Sequence, residues 1–310
     1  MFLIVSGIVN VFANKRNADG KLPNNTIYRR LRTAFMLMFI GYFLFFPADK
    51  IFHLAFIDAA VWKPFLQVNI LQLIGVSLLL LILTFVFTRS DKSLGITAFS
   101  IAILITVVNP SMNMVNWFNY LPEVFASYLS MEHSTSFTIF PFTGFMFYGV
   151  AFGTILKKVE PVRRIDFLKK WGLIIGVVFL LVGIPLNIYI NTFHLHFVDA
   201  LKANSGMMLI RIGCVFVSIS AISYLYSATS GLKSYYSIFG KRALLIYIAH
   251  LIFLYGLPWF GSIGQAYHQK LPLYLTVQLA ILVQLLSLVA AYYYEKSLKT
   301  FPTAKMFYRY

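Results

Sequence analysis

Lys157-Lys-Val-Glu-Pro-Val-Arg-Arg-Ile-Asp-Phe-Leu-Lys-Lys170 separates two long apolar runs, residues 137–156 and 171–191, and it holds six basic side chains. Moving outward from this gap, the same alternation of apolar run and short polar gap recurs along the whole chain. The apolar segments lie at roughly 1–13, 33–47, 66–88, 94–109, 137–156, 171–191, 205–226, 243–260 and 272–293. Several are long enough to cross a hydrocarbon core of ~30 Å at ~1.5 Å per residue.

Basic residues choose alternate gaps. Lys15, Arg16, Lys21, Arg29, Arg30 and Arg32 fall between the first two segments, and Arg89 and Lys92 follow the third. Lys233, Lys241 and Arg242 precede the eighth, and Lys296, Lys299, Lys305 and Arg309 lie in the tail. The opposite gaps hold only Lys50, Lys63, Lys202 and Lys270, and Arg211 alone sits inside a segment. By the tendency of cytoplasmic loops to carry Lys and Arg, residue 1 is expected outside and the C-terminus in the cytoplasm. The expected fold is therefore all-α, a polytopic membrane bundle with nine visible segments, in a bacterial inner membrane.

A net charge of +16 would suggest nucleic acid in a water-soluble protein. Here it accompanies a 59% hydrophobic composition and a mean hydropathy of +0.77, so it reads as topology and as attraction to anionic lipid headgroups. Nucleic acid is not an expected partner, and the lipid bilayer is. Cys214 is the one cysteine and has no intrachain partner. No metal-ligand spacing, phosphate loop or dinucleotide fingerprint occurs.

No linker divides residues 1–310, which are expected to form a single membrane domain. Met1-Phe-Leu-Ile-Val-Ser-Gly7 is already mid-hydrophobic and lacks a basic lead. A preceding in-to-out helix would repair the topology, for ten in a full-length protein. Two outer stretches stand out. Residues 48–65 hold Asp49, Lys50, His53, Asp58, Trp62 and Lys63, and residues 110–136 hold Trp117, Tyr120, Glu123, Tyr128, Glu132 and His133. The second stretch can cap a cavity, dock a sugar ring or lie at the interface as a re-entrant turn. Phe140-Pro141-Phe142 is expected to start or kink a helix, and Gly149 and Gly153 to form a close-packing face.

Polar side chains inside apolar segments carry a desolvation cost, which makes them candidates for function. His250 lies ten residues after Gly240, ~15 Å along a helix, where an imidazole suits proton transfer or simply bonds a neighbouring carbonyl or Tyr247. Arg211 lies about six residues below Ser205. It can snorkel to the headgroups, or face inward to pair with a substrate or with Glu123, Glu132 or Asp199. Gln67, Asn69 and Gln72 enter from the same side, with Asn69 and Gln72 on one helix face, as interhelical bonds or as the lining of an outward sugar site.

Several stretches together resemble membrane acyltransferases related to heparan-α-glucosaminide N-acetyltransferase. They are Phe2-Leu-Ile-Val-Ser-Gly7, Arg29-Arg-Leu-Arg32 with Gly41-Tyr-Phe-Leu-Phe-Phe-Pro47, Phe65-Leu-Gln-Val-Asn-Ile-Leu-Gln-Leu-Ile-Gly75, Phe140-Pro-Phe-Thr-Gly-Phe145 with Gly149 and Gly153, and Phe239-Gly-Lys-Arg-Ala-Leu-Leu-Ile-Tyr-Ile-Ala-His250. Asn69 stands where an Asp is commoner.

The resemblance implies transfer of an acyl group, usually acetyl, from cytoplasmic acetyl-CoA to an amine or hydroxyl of a glycan or amino-sugar acceptor outside, without a metal. It makes His250 the expected catalytic residue and Arg211, Asn69, Gln72 and Gln67 the expected acceptor-binding residues. The family's first helix, which carries its usual catalytic histidine, has no counterpart here, and the chain is expected to be truncated and inactive on that account. A second copy of the chain is a candidate partner. The competing classes are a transporter or flippase, which would not consume acyl-CoA, and a non-catalytic member of an envelope-modifying complex.

The topology has a direct consequence for labelling. A reporter cysteine placed at Asn119 should react with an impermeant thiol reagent in intact cells, and one at Ile165 should not. The opposite pattern would invert the orientation.

Overall fold

The apolar runs form helices because nothing inside a bilayer other than the helix's own ladder can satisfy their backbone N–H and C=O groups. A computed structural model describes residues 1–47, 59–131, 135, 137–192, 204–229, 233–257, 263–267 and 270–300, and no strand occurs among them. The chain divides into two compact units, Met1–Tyr42 with Lys63–Ser227 and Phe43–Trp62 with Ala228–Tyr310.

The first unit contains α1 (Phe2–Ala13), most of α2 (Asn24–Phe43), the end of α3 (Ala59–Leu66), α4 (Ile70–Phe87), α5 (Asp91–Met114), the short α6 (Glu123–Ala126), α7 (Ile139–Lys158), α8 (Arg164–Thr192) and nearly all of α9 (Ser205–Ala228). Its centre is α7, most of whose apolar length is buried, whereas α8 is largely exposed. Helices α1, α4 and α5 pack on α7. The seam with α1 is made by glycine. A Cβ on Gly7 would stand 2.9 Å from the Val150 nitrogen and would also strike the Met146 carbonyl. One on Gly149 would stand 2.8 Å from the Ile4 carbonyl carbon, and one on Gly153 3.0 Å from Ile8 Cα. A second such approach joins α8 to α9, where a Cβ on Gly176 would lie 2.9 Å from the Gly213 oxygen. Between helices in lipid, dispersion at this range replaces the missing hydrophobic drive.

The second unit contains α10 (Lys233–Lys241), α11 (Ala243–Tyr255), α12 (Ile263–Tyr267) and α13 (Leu273–Thr300). Helix α11 packs on α13, and Arg242 at its start pairs with Glu295 at 2.7 Å.

Six helical stretches are long and apolar enough to cross a membrane, at Trp62–Phe87 (the end of α3 with α4), Asp91–Met114, Ile139–Lys158, Pro161–Thr192, Ser205–Ala228 and Leu273–Ser297. Of the other three expected segments, α1 and α11 are apolar but shorter. Helix α2 starts nine residues before its apolar run, so Arg29, Arg30 and Arg32 occupy its first half. The segment expected at 66–88 is interrupted. Helix α3 ends at Leu66 and α4 begins at Ile70, with Gln67, Val68 and Asn69 outside either helix. Non-helical φ/ψ at Phe140 kinks the start of α7, as expected at Phe140-Pro141.

The glycine seam predicts an asymmetric response to added side chains. Gly149→Val should lower the melting temperature of the detergent-solubilised protein, at a cost of about 1–3 kcal/mol for overpacking. Gly240→Ala should leave it unchanged, because nothing lies within 4 Å of a Cβ there.

Candidate functional site

The interruption before α4 gathers three of the expected site residues. Asn69 is extended (φ −100°, ψ 175°) and serves as N-cap, with Gln72 three residues on completing a capping box. The Asn69 backbone N–H donates to Gln72 Oε1 at 3.1 Å, and Gln72 Nε2 donates to the Gln67 carbonyl at 3.5 Å. Gln72 is fully buried, seated in the space left by Gly41 of α2, where a Cβ would stand 3.1 Å from its Cγ. Its carboxamide is thus committed to the helix start, whereas Asn69 Nδ2 is buried without a hydrogen-bond partner.

One residue along α2, the Tyr42 ring lies 5.5 Å from Phe65, and its hydroxyl bonds that of Tyr128 at 2.9 Å. Burial pushes the Tyr128 hydroxyl well above its ordinary pKa, and the bond to Tyr42 adds to the shift, so it stays protonated. The Tyr128 carbonyl accepts from the Ile139 N–H at 2.8 Å and ties this stretch to the start of α7. The aromatic segment before it forms a single turn at Trp117–Asn119, where the Trp117 indole N–H donates to the Met112 carbonyl at 2.9 Å. This end of the unit therefore offers amides and a hydroxyl, groups that suit a polyhydroxylated ligand and cannot act as a strong base.

Arg211 stands on another helix, in the second turn of α9, half-buried and not free. The entry of α9 is tied down by polar bonds. Ser205 Oγ donates to the Thr106 carbonyl at 2.7 Å, Asn204 Nδ2 donates to Asn187 Oδ1 at 2.9 Å, and Thr106 Oγ1 bonds the Tyr148 hydroxyl at 3.0 Å. Of the carboxylates considered for Arg211, Glu123 opens α6 and is likewise not free. Glu132 and Asp199 lie outside the described residues, as do Asp49, Lys50, His53, Asp58 and His133.

His250 belongs to the second unit. It is half-buried on α11, with the Tyr247 ring edge-on at 4.7 Å. Its helix starts later than the spacing from Gly240 suggests. The chain turns at Arg242 (φ −109°, ψ 16°) between α10 and α11, so His250 is seven residues, or ~10 Å, into its helix.

The most elaborate polar cluster involves a residue whose individual role the sequence reading did not find. Arg16 of the first basic gap donates to the carbonyls of Gly20 (2.8 Å), Phe85 (3.2 Å) and Thr88, and to Thr88 Oγ1 (2.8 Å). Its side chain is 9% exposed, with Nε 3.8 Å from Asp91 and the guanidinium over the Phe85 ring. Lys157 meets the same carboxylate at 2.8 Å. Burial draws the Arg16 pKa below its ordinary value, and Asp91 opposes the shift. One guanidinium thus caps the C-terminal carbonyls of α4 and, through Asp91, joins the ends of α5 and α7. Among the described residues no three His, Cys, Asp or Glu side chains gather as a metal site would require.

These features define a multi-pass helical membrane protein with polar groups built into both ends of its first unit. Residues 1–194 match the family described as heparan-alpha-glucosaminide N-acetyltransferase, catalytic, and the chain belongs to that family of membrane acyltransferases. The match spans α1 to α8 and includes Gln67, Asn69 and Gln72, whereas Arg211 and His250 lie beyond it. No curated protein and no solved structure matches the chain.

The Arg16 cluster and the exposed ion pairs should separate on mutation. Arg16→Met removes hydrogen bonds from a charged, buried donor and should cost about 1.5–3 kcal/mol or more in thermal or denaturant unfolding. Arg163→Ala breaks a pair with Glu160 whose side chains are 78% and 71% exposed and should leave the melting temperature unchanged.

Proposed function

We propose that the chain is a transmembrane acyltransferase that moves an acyl group, acetyl in the simplest case, from cytoplasmic acyl-CoA to an amine or hydroxyl of a glycan-like acceptor on the other side. The family match over residues 1–194 carries this reading. In it, nine segments of a single membrane domain cross an inner membrane with residue 1 outside and the C-terminus in the cytoplasm. The basic gaps face the cytoplasm, where they attract the anionic donor.

Arg211, Gln67, Asn69 and Gln72 hold the acceptor. Gln72 acts mainly by fixing the helix start, while Asn69 Nδ2 has a hydrogen to donate. His250 accepts the proton of the acceptor as its oxygen or nitrogen attacks the thioester carbonyl. A new C–O or C–N bond forms, the C–S bond breaks, and coenzyme A leaves as the thiol after taking up a proton. The thioester and the acceptor are brought together by binding, so positioning supplies much of the acceleration.

A transporter is the second reading, favoured by the interrupted helix at Gln67–Asn69, a device that many solute carriers use at their binding sites. The two differ in whether acyl-CoA is consumed.

In membranes that hold the protein joined to its family's first helix and are supplied with radiolabelled acetyl-CoA and a glycan acceptor, acetyl transfer should fall at least tenfold in His250→Ala, on the ~10²- to 10⁴-fold scale of general acid–base catalysis. Normal turnover in a folded His250→Ala protein would remove this residue from the mechanism. Solute movement without loss of acetyl-CoA would replace the transferase with the transporter.

A further inference from the structure

Helix α1 carries a polar ladder that the transfer chemistry above leaves unused. Ser6, Asn10 and Asn14 recur every four residues, so they share one face at intervals of ~6 Å. The two asparagines do not face solvent, for Asn10 is 6% and Asn14 2% exposed. At the basic end Asn14 Oδ1 accepts from Arg30 Nε at 2.8 Å. One step inward, Asn10 Nδ2 donates to the Ser6 carbonyl at 2.9 Å and lies 3.4 Å from Ser6 Oγ. A backbone carbonyl can only accept, so this bond settles which end of the Asn10 amide is nitrogen. Asn10 Oδ1 is then a buried acceptor with no hydrogen-bond partner, a rare state that calls for a missing donor.

The cation at this end is held beside a second positive charge. Burial draws Arg30 below its ordinary pKa, and the neighbouring Arg29 charge adds to the shift. From the basic gap inward the ladder therefore presents a guanidinium, then a carboxamide, then an unsatisfied oxygen. A ligand that matches this order has a phosphate followed by a chain bearing amide N–H groups.

We propose that the ladder receives the phosphopantetheine arm of the acyl-CoA donor, with a phosphate on Arg30 beside Arg29 and an amide N–H of the arm donating to Asn10 Oδ1. The assignment rests on the acyl-CoA-dependent reading of the chain and gives that donor a place in the first unit. A glycerophospholipid shares the phosphate, but its ester-linked chains have no N–H for Asn10.

The test is equilibrium binding of radiolabelled coenzyme A to the full chain in phosphatidylcholine nanodiscs, with melting temperature followed for each variant. Arg30→Gln should weaken binding roughly tenfold or more, the scale of a lost hydrogen bond to a charged group. Asn10→Leu should weaken it several-fold at a similar melting temperature. Should Asn10→Leu not fold, Arg30→Gln at the rim still decides. Wild-type affinity in the folded variants would overturn the ladder and leave the transferase standing, whereas a wild-type chain that binds no coenzyme A would overturn both. In phosphatidylglycerol nanodiscs a lipid site would show itself differently. Arg30→Gln would lose a lipid-induced rise in melting temperature while keeping its affinity for coenzyme A, and that result would also overturn the proposal.

Discussion

Helices α1 and α7 come close enough for backbone to meet backbone, and the rest of the first unit is arranged around that approach. It is possible because Gly7, Gly149 and Gly153 place no Cβ in the seam, where Ile4, Ile8 and Val150 fill the space instead. In lipid, hydrophobic burial does not favour helix association, so contact at this range is what α7 uses to collect its neighbours. With α7 fixed, α5 reaches it through Thr106 and Tyr148, and Phe216 of α9 packs on Phe152 at 4.9 Å between ring centroids.

Both ends of this bundle are finished by polar groups that close helix termini. At the basic end Arg16 takes up the last carbonyls of α4 and reaches Asp91, while Ser90 Oγ accepts from the Ser93 N–H at 3.0 Å to cap α5. At the other end Asn69 and Gln72 cap α4 at its start. Such groups are costly to leave unsatisfied in a bilayer, which explains why few buried polar side chains among the described residues are idle. The idle ones, Asn10 Oδ1 and Asn69 Nδ2 among them, are correspondingly informative.

Much of this was legible in the sequence. Charge segregation marked the apolar runs because Lys and Arg are strongly disfavoured inside a bilayer, and Ser205 was recognisable as the edge of α9. The small-residue spacing at Gly149 and Gly153 announced a helix contact, though not its partner. Hydropathy did not reveal the interruption at Gln67–Asn69, because apolar content reports environment and not φ/ψ. The Asn69-to-Gln72 spacing was read as a shared helix face, whereas an Asn followed three residues later by Gln ahead of an apolar run is also the pattern of a capping box. Arg16 was counted as one topological charge among several. Its role depends on Phe85, Thr88 and Asp91, about seventy residues away, and no local pattern encodes such a contact. The helix that carries His250 starts at Ala243, a few residues later than the spacing from Gly240 suggested.

Transfer across the membrane, with donor and acceptor on opposite sides, is the claim that joins these features to a function. It is tested most directly by oriented vesicles of the protein joined to its family's first helix, with radiolabelled acetyl-CoA confined to one face and a glycan acceptor to the other. Label should reach the acceptor when the donor is on the face of the Lys157–Lys170 loop and not when the sides are exchanged. Transfer that requires donor and acceptor on the same face, or acceptor movement with no consumption of acetyl-CoA, would contradict it.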